Sequence, residues 1–381
     1  MRRALAVMDD VVTGVTYVRF HQPFEHLRER GFELGTLGAS LTLTRTARGY
    51  EPDGKILDGV STLIFPQMVA APVLADGSRL LLVEPLGELA RARGIPVVYS
   101  VDDYLEGVEA LNPSYETIAG APENLRALLD GADAFFVTTP VLAETLAPRG
   151  KPVHVLPNAV DPKRWKARPR AGGGLRVGWA GSSCHIDDLL MVLPAIRELQ
   201  KRLDFVFVLL GLTSRPLDVE VREIRRNRGG FTPSQKDRAE AFLSLASEFR
   251  AIRHRHVLFS GIDAYFDSLS AADLDVGICP LLDTPFNRHK SALKFYEYAA
   301  AGTMTVASAV PPYLGEVTAS SPNDAAAWAD SLERWLRDAP ARDAELARQR
   351  DFVLRERNIE RLRDRWEQAL LTVSSGPAPR S

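Results

Sequence analysis

NRHKSALKFYEYAAAGTMTVAS, Asn287 to Ser308, reads as one helix, one tight turn and one buried strand. The spacing predicts a helix over Ser291–Ala301, closed by Gly302, and a strand over Thr303–Ser308. Ser291 is the expected N-cap. From that start Lys290, Lys294, Glu297 and Ala301 share one face by three- and four-residue spacing. The alanines and the small strand residues imply close helix-on-strand packing. A helix buried that way puts its N-terminus at the edge of a parallel sheet where ligands bind. Two ammonium groups then stand near the positive end of a helix, with a carboxylate one turn deeper. The lysines and the free helix N–H groups suit a diphosphate, and a carboxylate accepting from two hydroxyls suits a ribose. The plain alternative is an exposed Lys294–Glu297 ion pair, worth about 0.3–0.5 kcal/mol.

Outward from this stretch, the second half of the chain alternates strands and helices. Strands are expected at Leu175–Ala180, Phe205–Leu210, Val257–Ser260 and Val276–Cys279, and an amphipathic helix at Asp187–Arg202. From Arg342 to Leu371 the pattern is one long, charged helix. The first half repeats the alternation, with strands at Ala4–Met8, Thr62–Phe65, Pro96–Val101, Ala134–Val137 and Val153–Leu156. Helical stretches at Leu80–Arg93 and Pro122–Leu129 lie between them. Such alternation implies α/β domains with parallel sheets covered by helices. KARPRAGGG, Lys166 to Gly174, is the best linker signal. The expected organisation is therefore 1–165, a linker at 166–174, 175–341, and a disordered tail at 373–381.

Bulk numbers agree with two domains. The chain has 381 residues, and single cores stop growing at about 250–300. A formal net charge of −2 argues against a dedicated nucleic-acid binder. Local basic stretches exist at Arg222–Arg228 and Arg250–His256, where solvated helix faces are the plainer reading. Cys184 and Cys279 form no metal-ligand spacing, and a reducing compartment is consistent with so few cysteines. Asp9 and Asp10 break the apolar run Ala4–Met8, which is too short for a signal or a membrane span. A cytoplasmic protein, with peripheral membrane contact left open, is expected.

Residues just after strands carry the remaining chemistry. The turn GSSCHIDD, Gly181 to Asp188, follows one strand and opens a helix. Gly181 permits close backbone approach, Ser182 and Ser183 are candidate caps, and His185 stands beside them. A capped turn without ligand explains the same residues. In YSVDDY, Asp102 and Asp103 follow a strand directly, as a general base on or orienter of an acceptor hydroxyl, or as a turn and N-cap pair; a metal pair is a third reading, without a nearby His or Cys to support it. Arg19, after the first strand, suits a phosphate or a structural salt bridge equally.

Together these segments are similar to one family. KFYEYAAAGTMTVAS resembles the donor-site helix and strand of family-4-type glycosyltransferases, whose pattern is a glutamate, then A-x-A-x-G and a valine-rich strand ending in Ala-Ser. PNAVDP, Pro157 to Pro162, resembles the turn that ends their N-terminal domain, and HVLFSGI and ADLDVGICPL fall in the expected order. The resemblance covers most of residues 150–310. It implies the GT-B fold, two Rossmann-like domains facing across a cleft, acceptor in the first and donor in the second. It also implies that Glu297 contacts the donor ribose, and that the last helix, about 342–372, crosses back onto the N-terminal domain through Phe352, Leu362, Trp366 and Leu370. Three departures stand out. His289 occupies the place of the family's earlier glutamate. The loop reads DTPFNRHKS without the usual Gly-Phe-Gly. No Arg and Lys pair follows Gly181, so Lys290 and Lys294 are the replacement charges.

The expected function is glycosyl transfer from a nucleoside-diphosphate sugar, UDP- or GDP-linked, to a hydroxyl acceptor. No cofactor or metal is required, because lysines and helix dipoles stabilise a leaving diphosphate. The resemblance implies retention of anomeric configuration. An epimerase or phosphorylase on the same scaffold and a non-catalytic binding subunit are the rivals. Saccharide, lipid-linked sugar, metabolite, protein and modified nucleic acid all fit as acceptor, with Arg222–His256 as a possible polyanion contact.

Overall fold

The computed structural model describes residues 1–37, 43–46, 49–67, 82–119, 122–167, 172–258 and 261–375. Part of the expected linker (168–171), the start of the helix expected from Leu80, the end of the strand expected at Val257–Ser260 and most of the tail lie outside them.

In chain order the first elements are β1 (Arg2–Ala6), α1 (Gly14–Thr16), a π-helical turn (Tyr17–His21) running into α2 (Gln22–Leu27), and β2 (Phe32–Thr36). A hairpin of β3 (Leu43–Thr46) and β4 (Gly49–Pro52) leads to β5 (Val60–Phe65), α3 (Val83–Ala92) and β6 (Val97–Val101). Then follow α4 (Tyr115–Ala119), α5 (Pro122–Gly131), β7 (Ala134–Val137), α6 (Pro140–Leu146) and β8 (Val153–Val155). The later elements are β9 (Leu175–Ser182), α7 (Ile186–Leu199), β10 (Phe205–Leu212), α8 (Leu217–Asn227), α9 (Pro233–Arg250), β11 (His254–Val257) and α10 (Ile262–Ala271). They continue with β12 (Val276–Cys279), α11 (Leu293–Ala301), β13 (Met304–Ser308), β14 (Ser320–Ser321), α12 (Ala325–Arg337), α13 (Ala339–Glu356) and α14 (Ile359–Ser374).

The described chain divides into two compact units. Unit 1 holds Met1–Tyr104, Thr117–Asn158 and Ile359–Ser381, and unit 2 holds Leu105–Glu116 and Ala159–Asn358. A short segment after β6 thus belongs to unit 2, and the last helix to unit 1.

Unit 1 is built on a parallel sheet in the order β2-β1-β5-β6-β7-β8. Its central strands β5, β6 and β7 are buried on both faces, as inner parallel strands must be. Leu63, Phe65, Val97, Tyr99 and Phe135 pack against Leu86 and Ala90 of α3, Leu128 of α5 and Leu142 of α6. On another face α14 inserts Trp366, which meets Phe136 edge-on at 5.9 Å and Phe24 at 6.4 Å.

Unit 2 has a second parallel sheet, β11-β10-β9-β12-β13-β14. This is the doubly wound order, with β10 and β11 out from β9 one way and β12, β13 and β14 the other. The direction of winding reverses between β9 and β12, and ligands of such sheets bind beyond the strand ends at that reversal. Trp179, Phe205, Phe207, Val276 and Val306 form the core with Leu189, Leu193 and Ile196 of α7, Phe249 of α9 and Trp328 of α12.

Several expectations change here. The single long C-terminal helix is two helices, broken at Arg357–Asn358, where Val160 N–H bonds the Arg357 carbonyl at 2.8 Å and Val160 bridges Asn358. Phe352 consequently sits in unit 2, stacked on Phe295 of α11 at 6.1 Å, while Leu362, Trp366 and Leu370 are buried in unit 1. Ser291 does not cap α11; Ala292 occupies the N-cap and no side chain bonds there. Lys290 lies before the helix in an extended residue that closes the 3-10 turn Asn287–His289. The stretch running to His256, polar and arginine-rich by sequence, carries α8, α9 and the start of β11, with α9 started by a Thr232–Gln235 capping box. Among the described residues, no helix is long and apolar enough to cross a membrane.

Candidate functional site

The site in unit 2 begins with a gap in a strand. Gly181 follows Ala180, the last buried residue of β9, and pairs with Gly211 of β10. A β-carbon on Gly181 would lie 2.7 Å from the Trp179 ring and 2.9 Å from Lys294 Nζ. Real side chains do not tolerate such distances, so glycine here makes room for an ammonium group over the indole. Lys294 Nζ stands 4.5 Å from the centroid of the Trp179 ring, a cation–π contact. Burial lowers its pKa, and the charges of Cys279, Asp188 and Glu297 oppose that shift.

One turn further along α11, the Glu297 carboxylate accepts a hydrogen bond from Tyr265 Oη at 2.7 Å. Burial raises its pKa to about 7, against the pull of Tyr265 and Lys294. Glu297 therefore sits near half-ionised at neutral pH. The helix itself is pinned by Tyr298, whose hydroxyl accepts from Ala180 N–H at 2.7 Å. The Tyr298 ring lies where a β-carbon on Gly277 would be. Two glycines, in β9 and β12, thus let α11 descend onto the sheet ends.

The turn after β9 supplies a third part. His185 Nδ1 and Asp188 Oδ2 are 2.7 Å apart, and Asp188 Oδ1 accepts from Leu282 N–H at 2.7 Å. Buried Asp188 thereby ties the turn to the loop after β12. The His185 ring meets Trp179 edge-on at 6.2 Å. Burial first, then the charge of Lys294, lowers the His185 pKa to about 4, although Asp188 pulls the other way. The imidazole is neutral at physiological pH. Lys290 bears on the same ring electrostatically, with its Nζ 4.4 Å from the Phe286 ring centroid.

Gly181, His185, Lys290, Lys294 and Glu297 are thus neighbours. The capping roles expected of Ser182 and Ser183 are not seen. Neither Ser182 nor Ser183 caps a helix: Ser182 precedes a 3-10 turn without a side-chain bond, and His185 is the N-cap of α7. His289 is held by its own loop, Nδ1 donating to the Pro285 carbonyl at 2.7 Å. A cavity of about 30 Å³ lies beside the turn, between Glu109, Asn112, Asp187, Arg238 and Asn287. That is room for about one water, not a sugar. Among the described residues no cluster of His, Cys, Asp and Glu suits a metal ion.

Unit 1 presents its own strand ends. The backbone N–H groups of Asp102 and Asp103 both donate to Gln67 Oε1, at 2.7 Å for Asp102. This fixes the two aspartates as a turn after β6. Arg19 points inward. It is 2% exposed, donates from Nη1 to the Leu156 carbonyl at 2.7 Å and to Asn158 Oδ1 at 3.3 Å, and lies 5.2 Å over the Trp366 ring. Burial lowers its pKa to about 10, offset in part by Asp102. So deep a guanidinium packs between β8 and α14, and its buried Nε and Nη2 have no hydrogen-bond partner among the described residues.

Tyr265, Trp179, Tyr298 and Asp188 escape a sequence reading as site residues. Asp188 lies within the quoted turn and Tyr298 within KFYEY, so a local signal existed for both. For Tyr265 there was none.

Known structures match this architecture. A glycosyltransferase from Rickettsia africae aligns over 99% of both chains with a TM-score of 0.62 and 10% identity. HepE of Anabaena, solved with UDP-glucose, aligns over 98% of this chain and 100% of its own, with a TM-score of 0.64 and 9% identity. An α,α-trehalose-phosphate synthase (UDP-forming) of Burkholderia vietnamiensis covers 99% of both chains with a TM-score of 0.60 and 13% identity. At such identities the likeness establishes the fold: this chain has the GT-B fold. No family model matches the sequence, and neither does any curated protein.

Proposed function

We propose that the protein transfers a glycosyl group from a nucleoside-diphosphate sugar to a hydroxyl acceptor. The observation that carries this reading is the Lys294 ammonium, set over Trp179 at the Gly181 gap, one turn from Glu297. In this reading Lys294 and Lys290 take the diphosphate, with the N–H groups at the start of α11. Glu297 takes the ribose hydroxyls. Gly181, Ser182, Ser183, His185, Ser291 and His289 line the donor. HepE is solved with UDP-glucose and a matched α-glucosyltransferase with UDP, so UDP is the first nucleotide to test and GDP the second.

Transfer breaks the bond between the anomeric carbon and the diphosphate oxygen, which leaves with the electron pair. The acceptor oxygen forms the new bond and loses its proton. Lysines and helix N–H groups stabilise the departing charge without requiring a metal. Asp102 and Asp103 are the candidate groups of unit 1 for acceptor binding and for the proton. Retention of configuration is the outcome the family likeness favours.

Arg222, Arg228 and Arg253 each have a carboxylate partner, Asp218, Glu240 and Asp204. That stretch offers a polyanionic acceptor less charge than its arginine content suggests. A binding-only role is the second reading, favoured by His289, which stands where a carboxylate is usual and is committed to Pro285.

Titration calorimetry with UDP, GDP and their sugars tests the site. Glu297→Gln and Lys294→Met should each weaken nucleotide binding by about tenfold or more, as loss of a charged hydrogen-bonding group does. Unchanged affinity in both variants removes the assignment. Binding without product from any hydroxyl acceptor, and without hydrolysis, supports the second reading.

A further inference from the structure

We infer that His185 is a hydrogen-bond acceptor that reads a neutral hydroxyl of the donor, beside the lysines that take its phosphates. This rests on the donor reading above and names what one point of that site recognises.

The geometry is carried by Asp188. A carboxylate with no proton can only accept, so the 2.7 Å contact puts the imidazole proton on Nδ1. The other Asp188 oxygen is occupied by Leu282 N–H, so the carboxylate cannot swing away. Packing of the ring edge against Trp179 fixes the ring plane. Nε2 is then left with a lone pair in a set direction. No protein group among the described residues bonds it, and it is not among the buried atoms lacking partners. The side chain keeps 19% of its surface open.

Chemistry selects the ligand group. The neighbouring ammonium groups of Lys294 and Lys290 disfavour a second positive charge on the ring. A neutral imidazole whose open nitrogen is a lone pair repels a phosphate or carboxylate oxygen. It accepts from a hydroxyl. Anionic parts of the donor go to the lysines, and a hydroxyl next to the diphosphate, on ribose or sugar, goes to His185. A donor lacking that hydroxyl leaves a desolvated acceptor unpaired, and sites of this kind discriminate strongly.

The test uses two variants that divide the imidazole. Asn at this position keeps a donor where Nδ1 lies and has nothing at Nε2. Gln reaches the Nε2 position. Wild type, His185→Asn and His185→Gln are titrated with UDP-glucose, or GDP-mannose if GDP is the nucleotide bound, and with their singly deoxygenated analogues, ribose positions included. Wild type should lose about tenfold for one analogue. His185→Asn should bind the parent about tenfold more weakly and be indifferent to that deoxygenation, and His185→Gln should recover part of both. A wild-type ratio of parent to analogue at every position in His185→Asn overturns the inference and leaves the donor site standing. Equal loss for parent and all analogues in both variants marks a structural role and also overturns it. No binding of UDP, GDP or either sugar nucleotide to wild type overturns the donor reading and the inference together.

Discussion

At the residue scale, Glu297 and His185 are titrating groups pushed in opposite directions by the same burial. Glu297 is raised from an ordinary value near 4.5 to about 7. Its folded form binds a proton more readily than the unfolded chain does. The associated stability is full below pH 4.5 and is lost as pH rises through about 7. At 1.36 kcal/mol per unit the ceiling is about 3 kcal/mol. His185 is lowered from 6.5 to about 4, so its contribution is full above pH 6.5 and is lost as pH falls toward 4. Between 4.5 and 6.5 the two slopes oppose each other. The difference between wild type and Glu297→Gln isolates the carboxylate. Urea unfolding of the unliganded protein from pH 5 to 8.5 should show wild type losing stability relative to Glu297→Gln as pH rises. Parallel curves would mean that Glu297 is ionised throughout. Nucleotide affinity should rise over the same window, because a ribose needs the carboxylate as acceptor.

At the element scale, α13 completes the sheet of unit 2. β14 pairs with β13 only from Ala307 onward. Gln349 of α13 supplies what β14 lacks: its Oε1 accepts from Thr305 N–H at 2.8 Å and its Nε2 donates to the Thr305 carbonyl at 2.9 Å. One side-chain amide thus stands in for a strand residue. Buried Arg342 of the same helix pairs with buried Asp275 at 3.0 Å. Gln349→Ala should orphan two buried backbone groups and cost about 2–3 kcal/mol in chemical denaturation. A loss under about 0.5 kcal/mol would show that water or a local shift replaces the amide. The same helix shows where sequence patterns mislead. Charge and spacing run on without interruption from Arg342 to Leu371, yet the chain breaks at Arg357–Asn358, where the Arg357 carbonyl accepts from Val160 N–H and Asn358 bridges Val160. The opposite error occurs in α9. Its buried Ala239, Phe242, Leu245, Ala246 and Phe249 keep helical spacing, but abundant charge around them hides the stripe.

At the scale of the whole molecule, four of the five tryptophans, Trp165, Trp179, Trp328 and Trp335, belong to unit 2, and Trp366 belongs to unit 1. In Trp366→Phe, tryptophan emission reports unit 2 alone. A nucleotide at about 100 times its dissociation constant should add about 2.7 kcal/mol to the state it binds. Thermal unfolding of Trp366→Phe followed by emission should therefore shift upward with UDP or GDP. Emission should also change on binding at low temperature, since Lys294 lies against Trp179. No shift with UDP, GDP, ADP or dTDP would mean that unit 2 binds none of them and would remove the donor site assigned to it.

Strand and helix alternation, both sheets and the Lys294–Glu297 spacing were determined by the sequence itself. Each depends on residues a few positions apart: apolar runs of four to six residues, glycine after a helix, small residues facing a strand. What those groups became was decided only by the tertiary structure. Lys294 meets Trp179 and the Gly181 gap, Glu297 meets Tyr265, and Asp188 joins His185 to Leu282, and each of these contacts except His185–Asp188 links segments far apart in sequence. Parallel strands are joined by crossovers, so the ends of β9 and β12 come together with nearly a hundred residues between them. Desolvation, which lowers the pKa values of Lys294 and His185 and raises that of Glu297, exists only after those ends meet. No local pattern records it, and that is why the chemistry was legible as residue types and not as protonation states or partners.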